Sequence, residues 1–265
     1  MPKPPRSGLW KALRVAILLV LLALVANTAW LEQRRVHAWA YTLTVGVFPV
    51  AGDDSPVTRD YLARLDGAEF TAIDEFLARQ AHAYGVKLVE PVQITLYPAV
   101  ATRPPAPPVG GGVLSTVLWS LSLRYYAARA TVVPRGAAPA LRIFVVYHDA
   151  ALTPRVPHSA GLDKGLIGVA HVFALARMRG SNGVVIGHEL LHTLGATDKY
   201  DPATDAPVFP DGYGDPKQLP RYPQASAEIM AGRIALSPTT QEMPDSLEAC
   251  VIGRATATEI SWLNR

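Results

Sequence analysis

His188, Glu189 and His192 stand in the order His-Glu-x-x-His. On a helix, residues four apart share a face, so two imidazoles would reach one point. A pair of imidazoles at that spacing suits a zinc ion. Glu189 follows one step round the helix, close enough to act as general base on a water without ligating the metal. The run continues Leu190-Leu191-His192-Thr193-Leu194-Gly195-Ala196-Thr197-Asp198. Gly195 falls where a helix commonly ends on a left-handed residue. A sharp turn there would bring Asp198 back as a third ligand. Two histidines and one carboxylate leave a fourth position open, as a catalytic zinc site requires. The Asp198 carboxylate could instead cap the turn, and Asp201, Asp205 and Asp211 compete for the ligand role at looser spacing.

This run resembles the extended HExxHxxGxxH/D signature of the metzincin clan of zinc metallopeptidases, with Asp198 where a third histidine is usual. The resemblance covers residues 181–232 and implies several things. The fold would be α/β (α+β), a zincin-like twisted sheet with an active-site helix and a C-terminal subdomain. Met230, in Glu228-Ile229-Met230-Ala231-Gly232, would form the methionine turn below the metal. As a residue type, Met230 is equally a gap-filler in a core. Gly168, Val169, Ala170 and His171 look like the edge strand that pairs with extended substrate in matrix-type members, a case of β-strand addition. In those members its histidine binds a second zinc, and His158, Asp163 and His171 fall in a similar order. Their spacing matches no zinc pattern, so packed or hydrogen-bonded histidines are the expectation. No tyrosine closely follows Met230; Tyr200, Tyr213 and Tyr222 are substitutes without specific placement. Asp198, Asp201, Asp205, Asp211 and Asp215 could offer oxygens to Ca2+, but they miss the calcium-loop pattern and read better as turn formers.

The elements that must position these residues are legible in outline. Residues 41–50 and 92–100 read as strands, and 57–84 as one helix stopped by Gly85. Residues 101–112, ATRPPAPPVGGG, cannot continue regular structure. Residues 113–130 read as a helix, 141–148 as a buried strand, and 166–175 as a strand that Gly168 weakens toward an edge or bulge. Residues 182–194 read as the active-site helix, capped by Ser181 or Asn182. Residues 196–223 form a long Asp/Pro/Gly loop, of the kind that usually carries function. A last helix is expected within 242–263. Cys250 is the one cysteine, which excludes an internal disulfide and any Cys-based metal site. It reads as a buried or inert thiol.

The chain of 265 residues is 49% hydrophobic and 18% charged, enough for a catalytic-size domain with a core. Its net charge of +3 resides at the N-terminus. Residues 1–35 hold six of the 25 basic residues against Glu32 alone, which leaves the body with 19 basic and 21 acidic residues. The body therefore offers no electrostatic footprint for nucleic acid. Residues 15–31 run 17 positions without a charge and read as a transmembrane signal anchor, after a cytoplasmic N-terminus at 1–14. A cleaved signal peptide fits less well, because the residues before each candidate cut are poor. On that reading residues 36–265 form an extracytoplasmic domain at the cell membrane. The expected function is a zinc-dependent endopeptidase acting on peptides or proteins. The alternative is a membrane-anchored binding or adhesion domain with a non-catalytic zinc site, for which Glu189 would have no use. An intramembrane protease is excluded, since residues 184–194 are far too short to span a bilayer.

Overall fold

The computed structural model describes residues 6–108, 110, 112–131, 138–157, 159–162 and 166–263. It is a mixed α/β structure around a five-stranded sheet of order β2-β1-β3-β5-β4. The strands are β1 (Leu43–Ala51), β2 (Val92–Leu96), β3 (Leu141–His148), β4 (Ala160–Leu162) and β5 (Ile167–Phe173). Four are parallel, and only β4 runs antiparallel, against β5. The helices are α1 (Arg6–His37), α2 (Pro56–Arg64), α3 (Thr71–Ala83), α4 (Val113–Ala130), α5 (Arg179–Thr193) and α6 (Arg254–Glu259).

Parallel strands need crossover connections, and such crossovers are right-handed. The path goes from β1 outward to β2, then back across β1 to β3. Reversing direction at constant hand moves the connection to the other face. The core divides accordingly. Ile73, Phe76 and Leu77 of α3 and Leu190 and Leu191 of α5 pack with Val45, Val47, Ile143 and Val145. Leu123 and Ala127 of α4 pack with Phe48, Phe144, Val146 and Val169 on the opposite side. Both faces are covered, so β1 and β3 are nearly continuous apolar runs.

The helix expected over 57–84 is two helices. Leu65 turns to an extended backbone, the Asp66 side chain accepts from the Ala68 N–H, and a 3-10 turn at Gly67–Glu69 leads into α3. The apolar spacing is shared by both helices and hides the break; the Asp66-Gly67 pair marks it. Ser55 caps α2, with Pro56 opening the helix. The last helix shrinks to the short α6, because 242–253 is occupied by small strand pairs and a 3-10 turn.

The anchor expectation is overturned. Among the described residues no helix is long and apolar enough to cross a membrane. The single-pass transmembrane signal anchor at 15–31, and with it the placement at the cell membrane, is withdrawn. The segment is the middle of the 32-residue α1, which carries Lys11, Arg14, Arg34 and Arg35 along its length. Its side chains at 18, 21–26 and 28–30 lie outside the described residues. The last turn of α1 belongs to the body. Val36 is buried, the His37 Nε2 lies 2.9 Å from the Leu194 carbonyl, and Trp39 Nε1 donates to the Ile260 carbonyl at 2.7 Å.

Gly168 has a packing cause. A Cβ there would stand 2.7 Å from Ile143 Cδ1 and 3.3 Å from Thr193 Cγ2, so glycine lets α5 lie close on β5. We predict that Gly168→Val destabilises the fold by about 1–3 kcal/mol, as overpacking does, read as a lower urea midpoint at unchanged slope.

Candidate metal centre

α5 begins at Arg179, after a 3-10 turn at Ala176–Met178, so Ser181 and Asn182 lie inside the helix and do not cap it. Ser181 Oγ donates back to the Met178 carbonyl at 3.1 Å. Asn182 faces β5 and bonds both backbone groups of Phe173, donating at 2.8 Å and accepting at 3.2 Å. These bonds, with the close approach at Gly168, fix the register of α5 on the sheet.

The far end closes as expected. Gly195 has φ of +89, and the Gly195 and Ala196 N–H groups donate to the His192 and Leu191 carbonyls. This turn does two further things. It places the Ala196 carbonyl 2.8 Å from His192 Nδ1, and it sends Asp198 back over the helix. His188 Nδ1 meets the Ile229 carbonyl at 2.9 Å. A carbonyl only accepts, so each Nδ1 carries a proton, and Nε2 is the ring atom each histidine turns toward Asp198 and would offer to a metal.

The two Nε2 atoms lie 3.0 Å apart, and Asp198 Oδ1 lies 3.2 Å from that of His188 and 3.1 Å from that of His192. A tetrahedral zinc with ligands at about 2.0–2.2 Å would set donor separations of about 3.3–3.6 Å. The three donors thus need to part by only a few tenths of an ångström, and their chemistry fits the ion. Burial pushes His188 down, but the Asp198 hydrogen bond and the charges of Glu189 and Asp198 outweigh it and raise it to about 9. Burial raises Asp198, but its two histidine bonds hold it well below the usual carboxylate range. The point between the donors therefore favours positive charge. Glu189 is 4% exposed, and its Oε2 has no hydrogen-bond partner. Burial raises this carboxyl above its ordinary value, against the lowering charges of His188 and His192. His188, Glu189 and His192 also offer one ligand atom each within 4.8 Å of one another.

Asp198 is itself clamped. Thr197 donates to Glu259 through its N–H at 2.9 Å and its hydroxyl at 2.7 Å. Lys199, 8% exposed, meets the same carboxylate at 2.8 Å. The Lys199 N–H donates to the Met230 carbonyl. Met230 is fully buried in a tight turn, where the Glu228 carbonyl accepts from Ala231 and Gly232. The Glu228 side chain, also fully buried, accepts from the N–H groups of Met230, Ala231 and Gly253 and from Thr256 Oγ1. Sequence reasoning found neither Glu228 nor the Lys199–Glu259 pair. Their partners lie up to 62 residues away, beyond any local pattern.

The donors lie in a cleft of about 700 Å³ whose lining includes Pro107, Trp119, Arg155, Ser159, His171 and Arg233. Tyr200 also lines it, its phenol pushed up to about 12 by burial and by the adjacent Asp198 carboxylate. Tyr213 and Tyr222 instead bond each other at 2.7 Å. Asp201 and Asp215 accept from backbone N–H groups two residues on, and Asp205 faces Arg155 and Arg233 at 3.6 and 3.8 Å. His158 and Asp163 lie outside the described residues. His171 Nδ1 stands 2.9 Å from His148 Nε2, and burial lowers His171 to about 4. Cys250 is buried, its thiol pushed up to about 12.

The expected edge strand is one place in from the edge. β4 pairs with Ile167, Gly168 and Val169. Beyond it, the His171 N–H donates to Ser159 Oγ, and Phe173 is held by Asn182. Gly168 and Val169 are thus already paired and the His171 N–H already taken, and among the described residues the outer edge of the sheet belongs to β4.

No protein-family model matches the chain, and comparison with curated proteins finds no significant relative.

Two outcomes follow from this geometry. Glu259→Ala frees the segment around Asp198, so a zinc ion held by these three donors should be bound about 10–100-fold more weakly, as on loss of an outer support, measured by competition with a chelator. In the metal-free protein, a histidine raised from 6.5 to about 9 stabilises fully below pH 6.5 and loses that contribution as pH rises through 9. Asp198→Asn should flatten the melting temperature across that window.

Proposed function

We propose that the protein is a zinc-dependent endopeptidase, with a zincin-like fold and a metzincin-type site in which Asp198 replaces the third histidine. One observation carries this reading. Three donor atoms converge at 3.0–3.2 Å beside a buried carboxylate oxygen that no protein group satisfies, all within one cleft. A purely structural site would have no use for such a base.

His188, His192 and Asp198 would hold zinc, which when bound supplies Lewis acidity toward a water and a scissile carbonyl. Glu189 accepts the proton of the attacking water on its free Oε2 and returns it to the leaving amine. Its raised affinity for a proton suits both halves of that transfer. The Ile229 and Ala196 carbonyls hold the imidazoles in orientation throughout. The turn at Glu228–Gly232 would serve as the methionine turn, with Met230 sealing the floor. An extended peptide would lie along the outer edge of β4, entering past Pro157 and Ser159.

Elemental analysis should find about one zinc per chain, retained in Glu189→Gln and lost in His192→Ala. Glu189→Gln should lower peptide hydrolysis by about 10²–10⁴-fold, the usual contribution of a general base. Full hydrolysis by Glu189→Gln would overturn the reading, and zinc without hydrolysis of any peptide in a broad library would favour a binding domain.

A further inference from the structure

A second pocket, of about 360 Å³, lies away from the metal centre. Its described lining is Arg35, Val36, Ala138, Pro139, Ala140, Arg142 and Leu166. Among the described residues the lining thus includes two arginines, no acidic residue, and the apolar Val36, Pro139 and Leu166. Arg142 stands at the start of β3, and its Nε is buried with no hydrogen-bond partner. Arg35 comes from the last turn of α1, which is seated by buried Val36 and by the His37 contact with Leu194.

An unpaired buried histidine or lysine can shed its proton, whereas arginine stays charged at any physiological pH. An anion bound beside both arginines would supply the partner that the Arg142 Nε lacks and offset their charge. A guanidinium offers parallel N–H donors that match the oxygens of phosphate. The volume lies at the lower end of small-molecule sites, which span about 300–1,000 Å³. Val36, Pro139 and Leu166 give the ligand's remainder an apolar surface.

We infer that the pocket between Arg35 and Arg142 binds a small phosphate monoester with an apolar body. The site stands apart from the peptidase reading and does not depend on it. The oxyanion meets the two guanidiniums and the organic part lies on the aliphatic wall.

Isothermal titration of the full chain with phenyl phosphate and with inorganic phosphate, at low ionic strength, tests this. The expected result is one phenyl phosphate per chain, bound more tightly than inorganic phosphate. Arg142→Gln and Arg35→Gln should each weaken it about ten-fold or more, as loss of a charged hydrogen bond does. Arg35 is exposed, so Arg35→Gln leaves the fold intact should Arg142→Gln disturb it. Affinity should be unchanged in His192→Ala, which separates this pocket from a metal-bound phosphate. Absence of saturable binding, equal affinity in Arg35→Gln, or loss in His192→Ala would overturn the assignment. Equal affinity for the two phosphates would overturn the apolar part of it.

Discussion

A fully buried carboxylate, that of Glu228, organises the half of the molecule below the candidate metal centre. Such a group is tolerable only where hydrogen bonds replace its water. Here three backbone N–H groups and one hydroxyl do so, drawn from the turn at 228–232 and from the start of α6. Satisfying this group forces the turn and the C-terminal helix together. The turn then offers the Ile229 carbonyl to His188 and the Met230 carbonyl to Lys199. One buried polar group thus sets an imidazole tautomer and one flank of Asp198.

The other half of the constraint comes from the sheet. α5 approaches β5 closely at Gly168 and is pinned by Asn182 to the Phe173 backbone. A helix fixed in translation and rotation carries His188, Glu189 and His192 to fixed points. Asp198 is then brought to them by a short chain path through Gly195 and held by Glu259 on the C-terminal helix. The centre is therefore assembled from the sheet side and the C-terminal side at once. A loosened support on either side reaches the same three donor atoms.

Much of this was legible beforehand where the cause is local. β3 is apolar apart from Arg142 and His148, and its observed span coincides with the expected 141–148. The helix at 113–130 likewise appears with its expected bounds. Where causes are non-local, the reading slipped. Gly168 looked like a weakness in a strand, but it is a close helix contact that only the tertiary packing reveals. Asn182 looked like a cap, but its amide serves the neighbouring strand. The split of 57–84 was hidden because apolar spacing continues across the break. The apolar run at 15–31 suggested a separate span by composition, whereas α1 is one longer charged-ended helix whose last turn joins the core.

The sequence by itself determined the periodic elements, the pairing of His188 with His192, and the left-handed turn at Gly195. Each depends on covalent spacing and backbone sterics within a few residues. Tertiary structure alone decided which carboxylate returns to the histidines, which carbonyls orient their rings, and that β4, not β5, forms the sheet edge. Those outcomes depend on satisfying buried polar groups and on close packing between segments far apart in the chain. No local pattern contains that information, because the free energy is shared among groups that meet only after folding.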